Sequence, residues 1–114
     1  MPFIQTKTTK TLTKEQRIRL KEAFGRAIEL LPGKTEKWLM LAFEDGVHMA
    51  FHGDAQSDMA FLEVSLVGSA PNEAYDALTA RLCELIGEVL DIAPDMIYIK
   101  YEECSHWGWN GINF

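Results

Sequence analysis

Cysteine is scarce in this chain: Cys83 and Cys104 are the only two among 114 residues, with no Cys-x-x-Cys and no histidine at ligand spacing. That argues against a thiolate metal site and against a disulfide framework. Both thiols read as reduced, Cys83 within a helical pattern and Cys104 in a loop. Positive charge is scarce too, with 11 Lys and Arg against 17 Asp and Glu, a net charge of −6. Nucleic-acid binders rely on basic patches that release counterions, so nucleic acid is not an expected partner. No apolar run approaches the roughly 20 residues of a membrane helix. The opening MPFIQTKTTK lacks the charged-then-apolar order of a signal peptide. The expectation is a cytoplasmic protein with no membrane partner, non-classical secretion left open, and neither metal nor cofactor. His48, His52 and His106 lie in polar, hairpin-like stretches and are expected at the surface.

What is present is a composition 47% hydrophobic and 25% charged, which suits one globular domain over 1–114. Sliding the sequence against itself by 58 positions aligns it without a gap, giving pseudo-repeats 1–58 and 59–114. Met1-Pro2-Phe3-Ile4-Gln5 falls on Met59-Ala60-Phe61-Leu62-Glu63, and the strand-like run 38–45 falls on 96–103. Between them, Leu20, Phe24, Ala27, Ile28 and Leu31 recur at helical spacing, as do Leu78, Leu82, Leu85, Ile86 and Val89. Thr13-x-x-Gln16 is a capping box that starts the first helix, and Pro32-Gly33 stops it. The second helix starts near Pro71-Asn72 and ends before Pro94. Each half is long enough for a βαβ unit with parallel strands and a right-handed crossover. The expected fold is therefore α/β (α+β): duplicated βαβ units forming a four-stranded mixed sheet with two helices on one face.

Leu39 to Phe43 and Ile97 to Ile99 are apolar at successive positions, as in strands covered on both faces. Two helices cover one face. The other, with Trp107, Trp109, Ile112 and Phe114, is expected to form an apolar patch that partner subunits cover. Periodicity does not choose between two, three or six copies.

Pro2 by itself is common beside an initiator methionine and harmless in an edge strand. Freed by removal of Met1, however, it is a secondary amine at a position where α-amino groups start near pKa 7.7–8.0. Burial and a nearby cation both push that value down, which leaves a neutral base at pH 7. Such a base can take a proton from the carbon beside a carbonyl and return it elsewhere, provided a donor or cation meets the developing oxyanion.

Several motifs in order span nearly the whole chain: Met1-Pro2-Phe3-Ile4, Pro32-Gly33-Lys34, Met49-Ala50-Phe51-x-Gly53, Ser65-Leu66-Val67-Gly68, Pro94-Asp95-x-Ile97-Tyr98-Ile99 and Trp107-Gly108-Trp109-Asn110. With them the sequence resembles the macrophage migration inhibitory factor family of the tautomerase superfamily. The resemblance implies a homotrimer whose sheets form the inside of a barrel, with three active sites at subunit boundaries. It nominates Pro2 as catalytic base and acid, Lys34 and the backbone N–H of Val67 as oxyanion partners, and Tyr98 as a residue contributed by the neighbouring subunit.

Tyr98 and Lys100 project from the same strand face. Lys100 departs from the asparagine usual in animal members and is expected to add a carboxylate partner; its plain alternative is a lysine snorkelling at a strand end. Trp38, Trp107, Trp109 and Phe114 are candidates for apolar walls or for interface packing. Trp107 is a second departure, since relatives often carry a smaller aliphatic residue there. The animal cytokine's Cys-x-x-Cys is replaced by Met59-Ala60-Phe61-Leu62, and thiol redox activity is not expected. The function expected from the resemblance is keto–enol tautomerisation of a phenylpyruvate-like 2-keto acid or enol. The alternatives are a decarboxylase or hydratase of the same superfamily, or a cytokine-like signalling or binding protein with a remnant pocket.

Overall fold

The computed structural model describes residues 1–114. Strand β1 (Pro2–Thr8) leads into helix α1 (Lys14–Ala27) and strand β2 (Met40–Glu44); strand β3 (Ala60–Val67) leads into helix α2 (Asn72–Leu90) and strand β4 (Ile97–Cys104). The sheet order is β2-β1-β3-β4. Strands β1 and β2 are parallel, as are β3 and β4, and the two pairs join through an antiparallel β1–β3 ladder. The duplicated βαβ fold expected from the self-alignment is present, with β2 and β4 at the sheet edges.

Local chemistry sets the helix ends. Gln16 donates its backbone N–H to the Thr13 hydroxyl at 3.1 Å, and the Gln16 side chain accepts from the Thr13 N–H at 2.9 Å, so the capping box forms as expected. Helix α1 gives way to a 3-10 turn at Ile28–Leu30 before reaching Pro32. Helix α2 closes on Asp91 in the left-handed region, at φ 57°. All ten apolar positions named for the two helices are buried, and with Ile4, Leu62, Val64 and Leu66 from the sheet they form a single core.

Two placements differ from expectation. Trp38 ends a 3-10 turn (Glu36–Trp38) instead of lying in β2, and Cys104 is the last residue of β4 instead of a loop residue. The C-terminal segment also holds a small hairpin, β5 (Gly108–Trp109) and β6 (Ile112–Asn113), paired antiparallel. Its turn residues Asn110 and Gly111 both have positive φ, at 52° and 81°, the left-handed pair that a two-residue hairpin turn requires.

The expectation of a continuous apolar open face is corrected. Alternation turns Leu41 and Phe43 toward the helices, while Phe3, Gln5 and Lys7 of β1 and Glu63 and Ser65 of β3 take the other side. There Lys7 pairs with Glu63 at 3.7 Å, and Lys100 pairs with Glu63 at 3.3 Å and Glu102 at 2.9 Å. The middle of the open face is an ion-paired ladder. Its apolar residues sit at the ends, Phe3 and exposed Met40 at one and Phe61 and Tyr98 at the other.

Two buried threonines of β1 make opposite predictions. The Thr6 hydroxyl is fully buried and has no hydrogen-bond partner. The Thr8 hydroxyl donates to the Met59 carbonyl at 2.9 Å and accepts from the Lys10 N–H at 3.2 Å. Thr6→Val removes an unpaid desolvation cost and is expected to raise stability by about 1–2 kcal/mol. Thr8→Val leaves the Lys10 N–H without its partner and the Met59 carbonyl with only its bond from the Thr9 N–H, and is expected to cost about 1–3 kcal/mol. Urea unfolding of the two variants should move the midpoint in opposite directions.

Candidate active site

The N-terminal end of β1 opens into a cleft of about 920 Å3. Its walls include Met1, Pro2 and Phe3 from the start of the chain, Lys37, Trp38 and Met40 from the turn and strand after α1, and Trp107 and Trp109 from the C-terminal segment. Pro2 is buried, like Ile4 two residues on. Chemistry read from distant parts of the sequence therefore meets at one place. A second groove, of about 660 Å3 between α1 and β2 and bordered by Lys14, Arg17 and Lys21, contains none of the expected site residues.

Lys34 reaches this end of the sheet for a local reason. Leu31 is anchored in the core, and the Lys34 N–H donates back to its carbonyl at 3.0 Å across Pro32-Gly33. Gly33 has φ 78°, so Pro then Gly at the two central positions is the pattern of a type II turn. The Lys34 ammonium donates to the Val67 carbonyl at 3.1 Å. Lys34 and Val67 are thus brought together, and two ammonium protons remain for another acceptor.

Val67 ends β3, one residue past Leu66, the register partner of Pro2. The loop that follows is tied down at two further points. Gly68 donates its N–H to the Cys104 carbonyl at 3.1 Å, and Ala70 donates to the Tyr75 hydroxyl at 3.1 Å, which itself donates to Glu103 at 2.5 Å.

The N-terminal amine beside this cluster has its basicity lowered below the ordinary value of 8.0, chiefly by burial and secondarily by the Lys34 ammonium. In the structure Met1 carries that amine, and the Pro2 nitrogen is an amide. Lys34→Ala removes the smaller of the two causes. The amine pKa is then expected to rise toward 8.0 without reaching it, which the pH dependence of N-terminal acylation will measure. An unchanged titration would show that the lysine charge is not felt there.

The aromatic candidates share one wall. Trp38 meets Trp109 edge-on at 5.0 Å, and Phe114 stacks on Trp109 at 6.2 Å. Trp107 is half-buried and lines the cleft directly.

Tyr98 and Lys100 are not brought to Pro2 within one chain. Tyr98 pairs in register with Phe61, five residues along β3 from Leu66, so it lies roughly 17 Å down the strand direction. Its ring packs against Phe51 at 4.7 Å, on the open side of the sheet. Lys100 stands on the same side, its ammonium held between Glu63 and Glu102, and those two carboxylates raise its pKa. Within the single chain its carboxylate partners are these two side chains. All three histidines are exposed. Lys37 and Met40 were not singled out from the sequence; only adjacency to Trp38 pointed toward Lys37.

The model of one family, macrophage migration inhibitory factor, matches residues 1–114. The chain belongs to the macrophage migration inhibitory factor family. The relative from Meriones unguiculatus is 31% identical over 86 residues, 72% of each chain. The crystal structure of Leishmania major MIF2 superposes with a TM-score of 0.93 at 32% identity, covering 100% of this chain and 97% of that one. The homologue from Prochlorococcus marinus gives a TM-score of 0.88 at 30% identity over 98% of both chains. The fold, a four-stranded mixed sheet backed by two helices, is that of the tautomerase superfamily. No helix is long and apolar enough to cross a membrane.

Proposed function

We propose that this protein is a keto–enol tautomerase of phenylpyruvate-like 2-keto acids, with Pro2 as base and acid once Met1 has been removed. The observation that carries the reading is the N-terminal amine itself. Burial and the Lys34 ammonium depress its basicity, beside a cleft walled by tryptophans. A proline amine at that place inherits both causes, and each of them favours its neutral, basic form.

The neutral amine takes a proton from C3 of the keto acid while negative charge gathers on the C2 oxygen. The Lys34 protons not used by the Val67 carbonyl, together with the Val67 N–H that the family resemblance nominates, are the donors we assign to that charge. The protonated amine then gives its proton to the oxygen, which yields the enol and restores the base. Ring stacking against Trp38, Trp107 and Trp109 holds the aromatic end, with Phe114 stacked on Trp109. Tyr98 is far from Pro2 in its own chain, and in the homotrimer that the family resemblance implies a neighbour's Tyr98 would complete the wall.

Two measurements test the reading. Light scattering should return about three times the 12.9 kDa chain mass. Protein shown by intact mass to lack Met1 should accelerate the loss of phenylpyruvate enol absorbance; a rate no faster than buffer would sink the enzymatic reading.

A further inference from the structure

We infer that Lys37 is the specificity residue of this cleft, the cation that selects a substrate bearing a carboxylate. The inference rests on the tautomerase reading for its site and goes beyond it by naming the group that discriminates acid from neutral ligands.

Three lysines are candidates, and their partners separate them. Lys100 has two carboxylates, at 3.3 and 2.9 Å, so its charge is already matched within the protomer. Lys34 is turned to the Val67 carbonyl at 3.1 Å, in the position suited to an oxyanion beside the amine. Lys37 makes no salt bridge, and its ammonium lies 5.2 Å from the centre of the Trp38 ring. It is the only charged side chain lining the cleft that Pro2 lines.

The geometry follows from the turn. Residues Glu36–Trp38 form a single 3-10 turn, and the flexible Lys37 stem carries its ammonium over the adjacent Trp38 ring. A cation resting on an indole keeps its hydrogen-bond donors for an anion, because the ring face satisfies charge but accepts none of its bonds strongly. An aromatic acid entering this cleft meets an apolar wall at Trp38, Trp107 and Trp109 and one ammonium at its edge. That pairing selects an aryl-bearing carboxylate, the ring against the tryptophans and the carboxylate at Lys37.

The test is ligand binding to Met1-free protein, read by tryptophan fluorescence, with 3-phenylpropionate and its neutral amide as probes. Neither probe reacts, so the result does not depend on turnover. Lys37→Ala is expected to weaken the acid about tenfold, the worth of one partly exposed charged hydrogen bond, and to leave the amide unchanged. Lys37→Arg should restore most of the acid's affinity, and added salt should weaken the acid in wild type but not in Lys37→Ala. Equal losses for acid and amide would mean that Lys37 only packs on Trp38, and unchanged affinities for both would remove it from the site. Either result overturns the inference. Wild type that discriminates acid from amide through Lys37 yet fails to turn over phenylpyruvate would overturn the tautomerase reading alone.

Discussion

Protein that keeps Met1 is expected to tautomerise phenylpyruvate about 10²–10⁴-fold more slowly than protein from which it has been removed, the usual contribution of a positioned base. The nitrogen of Pro2 in the Met1-bearing chain is an amide, whose lone pair is delocalised into the carbonyl. Met1 also lines the cleft, so its side chain takes space the substrate needs. Pro2→Gly with Met1 removed should fall between the two. It retains an amine in the same field, but as a primary amine without the ring that fixes φ and seats the first residue of β1. The pH profile carries the same argument with its sign. An amine whose pKa is lowered loses its base form only below that lowered value, so the acid limb of kcat/KM should lie below pH 8. Equal rates from the Met1-bearing and Met1-free forms, each verified by intact mass, would remove Pro2 from the chemistry.

Much of this site was legible because its parts are local. The Leu31-Pro32-Gly33-Lys34 sequence dictates a turn, and the turn delivers Lys34 to Val67. The helical spacing of Leu20, Phe24 and Ile28 fixes which side of α1 meets the sheet, and the structure buries all three. Asn110-Gly111 also carried a hairpin signal, one that adjacency to Trp107 and Trp109 masked.

The misread parts are nonlocal. An unbroken apolar run such as Leu39 to Phe43 looks two-sided, but register decides what each face meets, and here exposed Met40 shares its face with Gln5 and Lys7. Whether a lysine is free or paired is a register question as well. Lys100 is matched by Glu63, which β3 places beside it, and by Glu102 on its own strand, whereas β5 brings Trp109 and no carboxylate to the turn that carries Lys37.

Phe24→Ala is expected to cost about 3–5 kcal/mol, the range for emptying an aromatic site in a core. Phe24 is fully buried and heads the largest of the enclosed side chains, and its ring stacks on Phe43 of β2 at 6.3 Å. The loss therefore falls on the contact that seats α1 against the edge strand, and neighbouring Leu20 on the helix and Ile28 in the turn after it leave little freedom for collapse into the void. At roughly 4 °C per kcal/mol for a chain of this size, the midpoint of thermal unfolding should drop by about 12–20 °C. Ile18 supplies the contrast from the same helix. It is 44% exposed in the single chain, so Ile18→Ala should stay within about 0.5 kcal/mol if that surface remains in water. A cost well above this, at matched protein concentration, would mean that the assembly covers α1 beside β2. A small cost at Phe24 would contradict the packing of the two elements that carry Lys34 and Trp38 to the cleft.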